Sequence, residues 1–445
     1  MHDRAFLAAA LRGSPMDCPV AYDITRLATR VLNRTPNGID RIDSAFARRL
    51  LGSATAGHLA MMMTLQGPRI ISGAAAADVV NGIFLHWGED EAPGEDESYR
   101  RIVNWLSGET SSFKAAQRVA RGRSGQASGV ARWIRQHGFP IGQSPVAALP
   151  KGARYLNVSQ FPLWIPSYFR WLKQRPDVKG VFFIHDLLPI EHPEYFRKAE
   201  YDRHLRRLVN LAEFGAAAIV TTQVVKEALQ AHLAPLGRKD MPILVAPIPA
   251  APIFSDRRAA SLELTDSPYF VACGTIEPRK NHLLLLHVWR ELVRRDGASA
   301  PKLVLIGARG WENENVVDLL ERCHAIGNHV IEVSGLSTPG LKALMGGARA
   351  LLMPSFAEGY GLPIAEALAV GTPVIASDIA AFEESGAGRI TALSPIDGEK
   401  WLETIRAFTA PNSPERAAAK AQTDRFEAPS WSGYFAKAEA FLSDL

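Results

Sequence analysis

The sequence predicts an α/β protein built on parallel sheets, and three observations carry that prediction. The chain has 445 residues, more than the roughly 250–300 over which one hydrophobic core grows, so it divides into two or more domains. In the C-terminal half, short continuous apolar runs alternate with stretches of helical period. The N-terminal half holds five further apolar runs with helical segments between them. Alternation of this kind makes βαβ units, and βαβ units make a parallel sheet covered by helices on both faces.

The C-terminal elements follow in order. "YFVAC" (269–273), "KLVLIG" (302–307), "HVIEVSG" (329–335), "ALLMP" (350–354) and "PVIAS" (373–377) read as strands. "NHLLLLHVWRELVRR", "NVVDLLERCHA", "LKALMGGA" and "LPIAEALAVG" read as the helices between them. A doubly wound sheet of this type binds ligands at the carboxyl ends of its strands. In the N-terminal half the strands are "PVAYDI", "HLAMMMTL", "GVFFIHD", "AAIVTT" and "PILVAPIP". The Pro- and Ala-rich "PIPAAPIFSDRRAASLELTDSP" is the candidate linker. Residues 1–255 are read as one domain with an insertion at about 88–136, residues 256–415 as a second, and residues 416–445 as a helical tail.

The composition excludes several classes. A net charge of +4 is too small to imply nucleic acid. Cys18, Cys273 and Cys323 are widely spaced, which fits neither a disulfide framework nor a four-ligand zinc site and points to a reducing compartment. No apolar run reaches the ~18–20 residues of a membrane span. The longest candidate is broken by Gln66, Pro68 and Arg69. The expected location is the cytoplasm.

Charge separates within the insertion. Glu89, Asp90, Glu91, Glu95, Asp96 and Glu97 precede Arg100, Arg101, Lys114, Arg118, Arg121, Arg123, Arg132 and Arg135, with Trp105 and Trp133 among them. One reading is an inserted helical pair with solvated faces. The other is a surface for anionic phospholipid or a lipid-phosphate acceptor, which would place the chain peripherally at a membrane.

Chemistry concentrates in two stretches. In "EGYGLPIAE" (358–366) two carboxylates, Glu358 and Glu366, bracket two glycines and a proline just after a strand. Pro363 suits a first helical turn. Gly359 and Gly361 let the backbone turn sharply and approach a ligand. Exposed amides at the helix start suit phosphate, while the carboxylates suit sugar hydroxyls or a developing cation. Together they suggest a nucleotide-sugar site; the alternative is a strand–loop–helix turn with an incidental glutamate pair. In "GTIEPRKNH" (274–282) Arg279 and Lys280 fall where a helix begins. The helix dipole disfavours cations there, so their presence suggests a diphosphate clamp; otherwise they are exposed basic residues.

These two stretches together resemble glycosyltransferase family 4, the retaining nucleotide-sugar enzymes of the GT-B fold. "FFIHDLLPIEHPEYF" resembles the family's N-domain His–Asp segment in mannosyl- and rhamnosyltransferases of bacterial surface polysaccharides, "NRTPNGIDRI" its N-terminal glycine loop, and "GARGWENENVVDLL" the same subgroup. The resemblance covers most of residues 20–410. It implies two Rossmann-like domains facing a cleft, with the nucleotide sugar on the C-terminal one, the acceptor on the N-terminal one, and the last helix crossing back. Glu358 would hold the transferred sugar and Glu366 the ribose. Gly359, Tyr360, Gly361 and Leu362 would offer amides to the diphosphate. Arg279 and Lys280 would neutralise the leaving phosphate, with Gly274 and Thr275 in the same loop. His185 would stand against the sugar, Gly335 and Leu336 would flank the base, and the loop with Asn37, Gly38 and Arg41 would approach the donor phosphate or acceptor. Many relatives carry arginine where Thr275 stands, which shifts the clamp toward Lys280.

The resemblance further implies GDP-mannose or a dTDP-rhamnose-like donor and a lipid-linked saccharide acceptor. No metal is expected, because no Asp-x-Asp pair ends an apolar strand, and cationic side chains with amides can supply the same electrostatics. Three rivals differ in behaviour. A nucleotide-sugar epimerase would turn over donor without acceptor. A silent nucleotide-binding subunit would release no product. A nucleotide-dependent oxidoreductase is disfavoured because no Gly-x-Gly-x-x-Gly follows a strand.

Overall fold

The computed structural model describes residues 18–30, 38–52, 57–71, 76–77, 80, 93–109, 142–255 and 267–445. Within them the chain forms two sheets. Strands β1 (Val20–Asp23), β2 (Leu59–Thr64), β3 (Gly67–Ile71), β4 (Arg154–Asn157), β5 (Lys179–Ile184), β6 (Ala217–Val220) and β7 (Ile243–Val245) lie in the order β3-β2-β1-β4-β5-β6-β7. Only the β2–β3 pair is antiparallel. Strands β8 (Tyr269–Cys273), β9 (Lys302–Ile306), β10 (Val330–Val333), β11 (Leu351–Met353), β12 (Val374–Ser377) and β13 (Thr391–Leu393) lie in the order β10-β9-β8-β11-β12-β13, parallel throughout. This is the GT-B arrangement of two Rossmann-like sheets.

The period of two along a strand sends alternate residues to opposite faces, and here both faces are buried. Val20 and Tyr22 enter one core while Ala21 enters another. Tyr269, Val271 and Cys273 divide from Phe270 and Ala272 in the same way. That is why these strands read as unbroken apolar runs. The strand order reverses between β1 and β4 in the first sheet and between β8 and β11 in the second. Each reversal opens a crevice at the carboxyl edge, where ligands bind in folds of this type.

Two helices tie the halves together. The last, Trp431–Asp444, buries Tyr434, Phe435, Ala438 and Leu442 in the core of the first sheet. The helix Glu97–Leu106 does the reverse. It belongs to the charged segment of the first half, yet Tyr99, Ile102, Trp105 and Leu106 enter the core of the second sheet. Trp105 is 5 % exposed, so the expectation that it meets a lipid interface fails. The reason is the helix's apolar stripe, which finds a protein core rather than solvent or membrane. Lys302 lies over the Trp105 ring at 4.7 Å and donates to the carbonyls of Trp105 (2.7 Å) and Leu106 (2.9 Å), a cation at a helix C-terminus. Lys114, Arg118, Arg121, Arg123, Arg132, Trp133 and Arg135 lie outside the described residues.

Replacing Trp105 with Ala should cost about 3–5 kcal/mol of stability, the usual loss for a buried tryptophan, read from the urea midpoint. Sedimentation with anionic liposomes should not change. A variant with unaltered stability and weakened liposome binding would restore the lipid-facing reading.

Candidate functional site

The loops that follow β8 and β11 are the two stretches singled out by sequence, and the crevice between those strands brings them together. After β8 the chain makes a short 3-10 turn, Pro278–Lys280, then passes through Asn281 in a left-handed conformation (φ 54°) before the helix His282–Asp296. Arg279 and Lys280 therefore precede the helix rather than sit in its first turn. Asn281 Nδ2 donates to the carbonyls of Pro354 (3.1 Å) and Pro395 (2.8 Å), which pins this loop to the ends of its neighbours. The Phe356 amide donates 2.8 Å to the Arg279 carbonyl, and Arg279 Nη1 donates 3.1 Å to that of Ala357.

Glu358 is the junction. Its side chain is 7 % exposed. Arg279 Nη1 lies 2.5 Å from Oε2, Lys280 Nζ donates to Oε1, and Ser355 Oγ donates to Oε1 at 3.0 Å. Burial alone would raise this carboxyl, but Arg279 and Lys280 override it and hold it down at about 2. For Arg279 burial acts against the charge; Glu358 and Glu277 outweigh it and push the guanidinium up.

Gly361 takes φ 97°, and Pro363 sits in the first turn of the helix Leu362–Ala369. A Cβ on Gly361 would lie 2.8 Å from the Phe382 ring. Among the described residues no partner is recorded for the amides of Gly359, Tyr360, Gly361 and Leu362, so the helix start offers unpaired donors beside the Glu358 cluster.

The N-terminal half closes on this loop. The Gly359 carbonyl accepts from Thr221 Oγ1 (3.0 Å) and Thr222 Oγ1 (3.1 Å), at the end of β6. A Cβ on Gly359 would stand 2.6 Å from the His185 carbonyl, so only glycine permits the approach. Tyr360 sends its hydroxyl to the Ile248 carbonyl at 2.9 Å. Glu384 accepts from the amides of Gln223 (2.7 Å) and Val224 (2.9 Å), a carboxylate on the start of a helix in the other half. The Tyr195 and Phe356 rings stack at 5.6 Å.

His185 follows β5. Its Nε2 lies 2.9 Å from the Val158 carbonyl, and desolvation with Arg26 and Arg207 nearby lowers the imidazole to about 3, against the pull of that carbonyl. The ring is therefore neutral, Nε2–H donates to Val158, and Nδ1 is its acceptor. Glu366, 2 % exposed, pairs with Arg41 from the helix Gly38–Leu51; burial raises its carboxyl more than Arg41 lowers it. The expected ribose ligand and the expected phosphate-loop residue thus meet each other across the halves. Gly38 begins that helix with open space at its Cα, and Asn37 lies outside the described residues. Gly274 follows β8 and faces the Lys280 side chain, and Thr275 is exposed. Gly335 and Leu336 precede the helix Thr338–Gly347; their neighbour Ser337 donates its amide to Asp96 at 2.7 Å. Sequence reasoning missed Ser355, Asn281, Thr221, Thr222 and Glu384. A pair of threonines closing the buried run "AAIVTT" was the available signal.

Two α/β sheets meeting at their carboxyl edges, with a cation-held glutamate beside free helix amides, have the architecture of the GT-B fold. Residues 254–389 match the family described as "Glycosyl transferases group 1". It is 27 % identical over 252 residues to the "Serotype-specific mannosyltransferase WbdA" of Escherichia coli, covering 53 % of this chain and 31 % of that one. It is 35 % identical over 131 residues to an Escherichia coli "O-antigen chain mannosyltransferase B", covering 29 % and 34 %. It is 25 % identical over 229 residues to the "O-antigen chain mannosyltransferase RfbU" of Salmonella typhimurium, covering 50 % and 59 %. The chain thus spans about a third of the length of the first two relatives. In fold it is similar to an α,α-trehalose-phosphate synthase (UDP-forming) from Burkholderia vietnamiensis, with a TM-score of 0.52 at 13 % identity over 78 % of this chain and 86 % of that one.

Glu358 gives a pH-dependent stability. Its folded value of about 2 lies below the ordinary 4.5, so its contribution is complete above the ordinary value and is lost as pH falls toward the folded one. Glu358→Gln should cost about 3–5 kcal/mol at neutral pH, because it strands two buried cations. It should also flatten the acid limb of stability between those two values. Urea titrations of both proteins across that range check the sign.

Proposed function

We propose that this chain is a retaining glycosyltransferase that moves a mannose- or rhamnose-like sugar from a nucleoside diphosphate donor to a saccharide acceptor in the synthesis of a cell-surface polysaccharide. The observation that carries the reading is Glu358, held by Arg279 and Lys280 at the β8/β11 crevice beside four unpartnered amides. The mannosyltransferase relatives support GDP-mannose as donor, with a dTDP-rhamnose-like sugar the other candidate, and the acceptor is proposed to be lipid-linked.

The chemistry follows from what each group can do. The diphosphate settles on the helix amides, and Arg279 and Lys280 turn part of their charge from Glu358 to its oxygens. As the bond between the anomeric carbon and the diphosphate oxygen breaks, negative charge grows on the phosphate, where the two cations stabilise it. Positive charge grows on the sugar ring, where Glu358 opposes it. The acceptor hydroxyl oxygen bonds to the anomeric carbon on the face the diphosphate leaves, and its proton passes to a phosphate oxygen. His185, neutral, accepts a sugar hydroxyl at Nδ1. Glu366 reaches the nucleotide ribose when Arg41 gives way. No step in this scheme requires a metal ion, because Arg279, Lys280 and the amides supply the positive charge.

Among the described residues no helix is long and apolar enough to cross a membrane. Contact with anionic lipid is proposed for the stretch from Lys114 to Arg135, where basic residues near a charged surface contribute about 1 kcal/mol each.

Lys280→Ala should lower turnover by about 10²–10³ while the protein stays folded, the usual loss when a charge contact made in the transition state is removed. Near-normal turnover in a folded variant would sink the phosphate assignment. Activity should also persist in excess chelator. Complete loss, restored by magnesium or manganese, would contradict the metal-free scheme.

A further inference from the structure

The N-terminal wall of the cleft carries a cation the scheme above leaves unused. Arg207 stands on the helix Lys198–Phe214. Its Nη1 donates to Gln160 Oε1 at 3.2 Å and to His204 Nε2 at 2.6 Å. His204 is neutral, lowered to about 4 mainly by burial, and its Nδ1 donates to the Glu200 carbonyl, so it supplies no charge. The buried Nε of Arg207 has no partner, and among the described residues no carboxylate lies within ion-pair distance of the guanidinium. Burial draws Arg207 down to about 10, more than Glu200 and Asp186 restore. The contrast with other cleft cations is direct: Arg41 has Glu366, Lys280 has Glu358, and Arg279 has both Glu358 and Glu277. A desolvated cation without a counter-ion is costly unless a ligand supplies one.

A second observation converges on the same place. Gln160 is 6 % exposed and holds a left-handed backbone (φ 59°), a conformation that asparagine or glycine adopts at less cost. Its Oε1 is committed to Arg207, which orients the amide, and the buried Nε2 then has no acceptor. Gln160 lies in the loop after β4, two residues past Val158, whose carbonyl takes His185 Nε2. Trp164 in the same loop carries Arg203 and Arg207 over its ring at 5.1 and 5.3 Å, which fixes the guanidinium's place. An unpaired N–H of a cation and an unpaired amide donor are thus held beside the neutral histidine.

We propose that Arg207 and Gln160 form an anion seat on the N-terminal wall of the cleft, which takes a phosphate or carboxylate oxygen of a bound substrate beside His185. The inference rests on the glycosyltransferase reading for the identity of the cleft's occupants. The oxygen has two possible sources, an anionic group on the acceptor or the diphosphate of the donor, and titration separates them.

Wild type and Arg207→Met are titrated calorimetrically with GDP and dTDP, and then with inorganic phosphate while the tighter nucleotide is saturating. An acceptor-side seat leaves nucleotide affinity unchanged and weakens the second phosphate by about tenfold or more, as expected for loss of a buried charge partner. A donor-side seat weakens the nucleotide itself by a similar factor. If a folded Arg207→Met binds both probes as wild type does, the seat does not exist. If Arg207→Met does not fold, Gln160→Asn, which suits the left-handed backbone and withdraws the amide donor, makes the same comparison. Wild type itself separates the two readings: if it binds neither nucleotide, that counts against the glycosyltransferase reading, and the comparison of phosphate binding without nucleotide still decides the seat.

Discussion

A single buried carboxylate organises the C-terminal half of the cleft. Glu358 draws Arg279 and Lys280 out of one loop and onto another, and without it two cations would stand desolvated with Glu277 and Asp186 left to oppose them. The loops after β8 and β11 keep their mutual position because this charge cluster, the Asn281 amide and the Phe356–Arg279 backbone bond act together. The arrangement also stores a reactive asymmetry. The cations already sit where a second anion could share them, so such an anion would redistribute charge rather than require its assembly.

The glycine that follows Glu358 has the complementary task. Gly359 gives its carbonyl to two threonines and its bare Cα to the His185 backbone. The residue pair Glu358–Gly359 thus faces two ways, one side chain toward the C-terminal cations and one backbone toward the N-terminal wall. Arg41 and Glu366 add an ion pair across the same gap. In this state the groups expected to hold a donor hold one another, and occupancy of the cleft competes with contacts between its walls.

Much of this was legible in the sequence. The strands at 269–273, 302–306, 330–333, 351–353 and 374–377 were readable because burial on both faces leaves them mostly apolar, with Lys302 and Glu332 as charged exceptions. β4, "RYLN", was not: Arg154 and Asn157 look like loop residues until the Leu442 and Phe161 carbonyls that accept from them are in place. β3 hid behind Pro68 and Arg69, which an antiparallel strand at the sheet's edge tolerates. Glu358, Arg279 and Lys280 were visible as residue types in telling positions. Their bonds to one another were not, nor were the Arg41–Glu366 pair, the threonine grip on Gly359, or Arg207 with Gln160. Each joins segments distant in sequence, and periodicity and spacing report only on neighbours. Trp105 misled for the same reason: an amphipathic helix shows that it has a partner, not which one.

The two cores are interlaced along the chain. The second core takes residues 99–106 from the first half, and the first core takes residues 434–442 from beyond the second sheet. During synthesis the helix Glu97–Leu106 emerges long before the sheet it packs on. The sheet begun at Val20 stays without the helix Trp431–Asp444 until those residues are made. Neither half is therefore a self-sufficient folding unit. A fragment cut to the family-matched residues 254–389 would expose the apolar surface that Tyr99, Ile102 and Trp105 cover. A fragment ending at residue 255 would lack Tyr434 and Phe435. Dissecting this protein into its two halves would produce two incomplete cores, each prone to aggregate through the face the other half was built to cover.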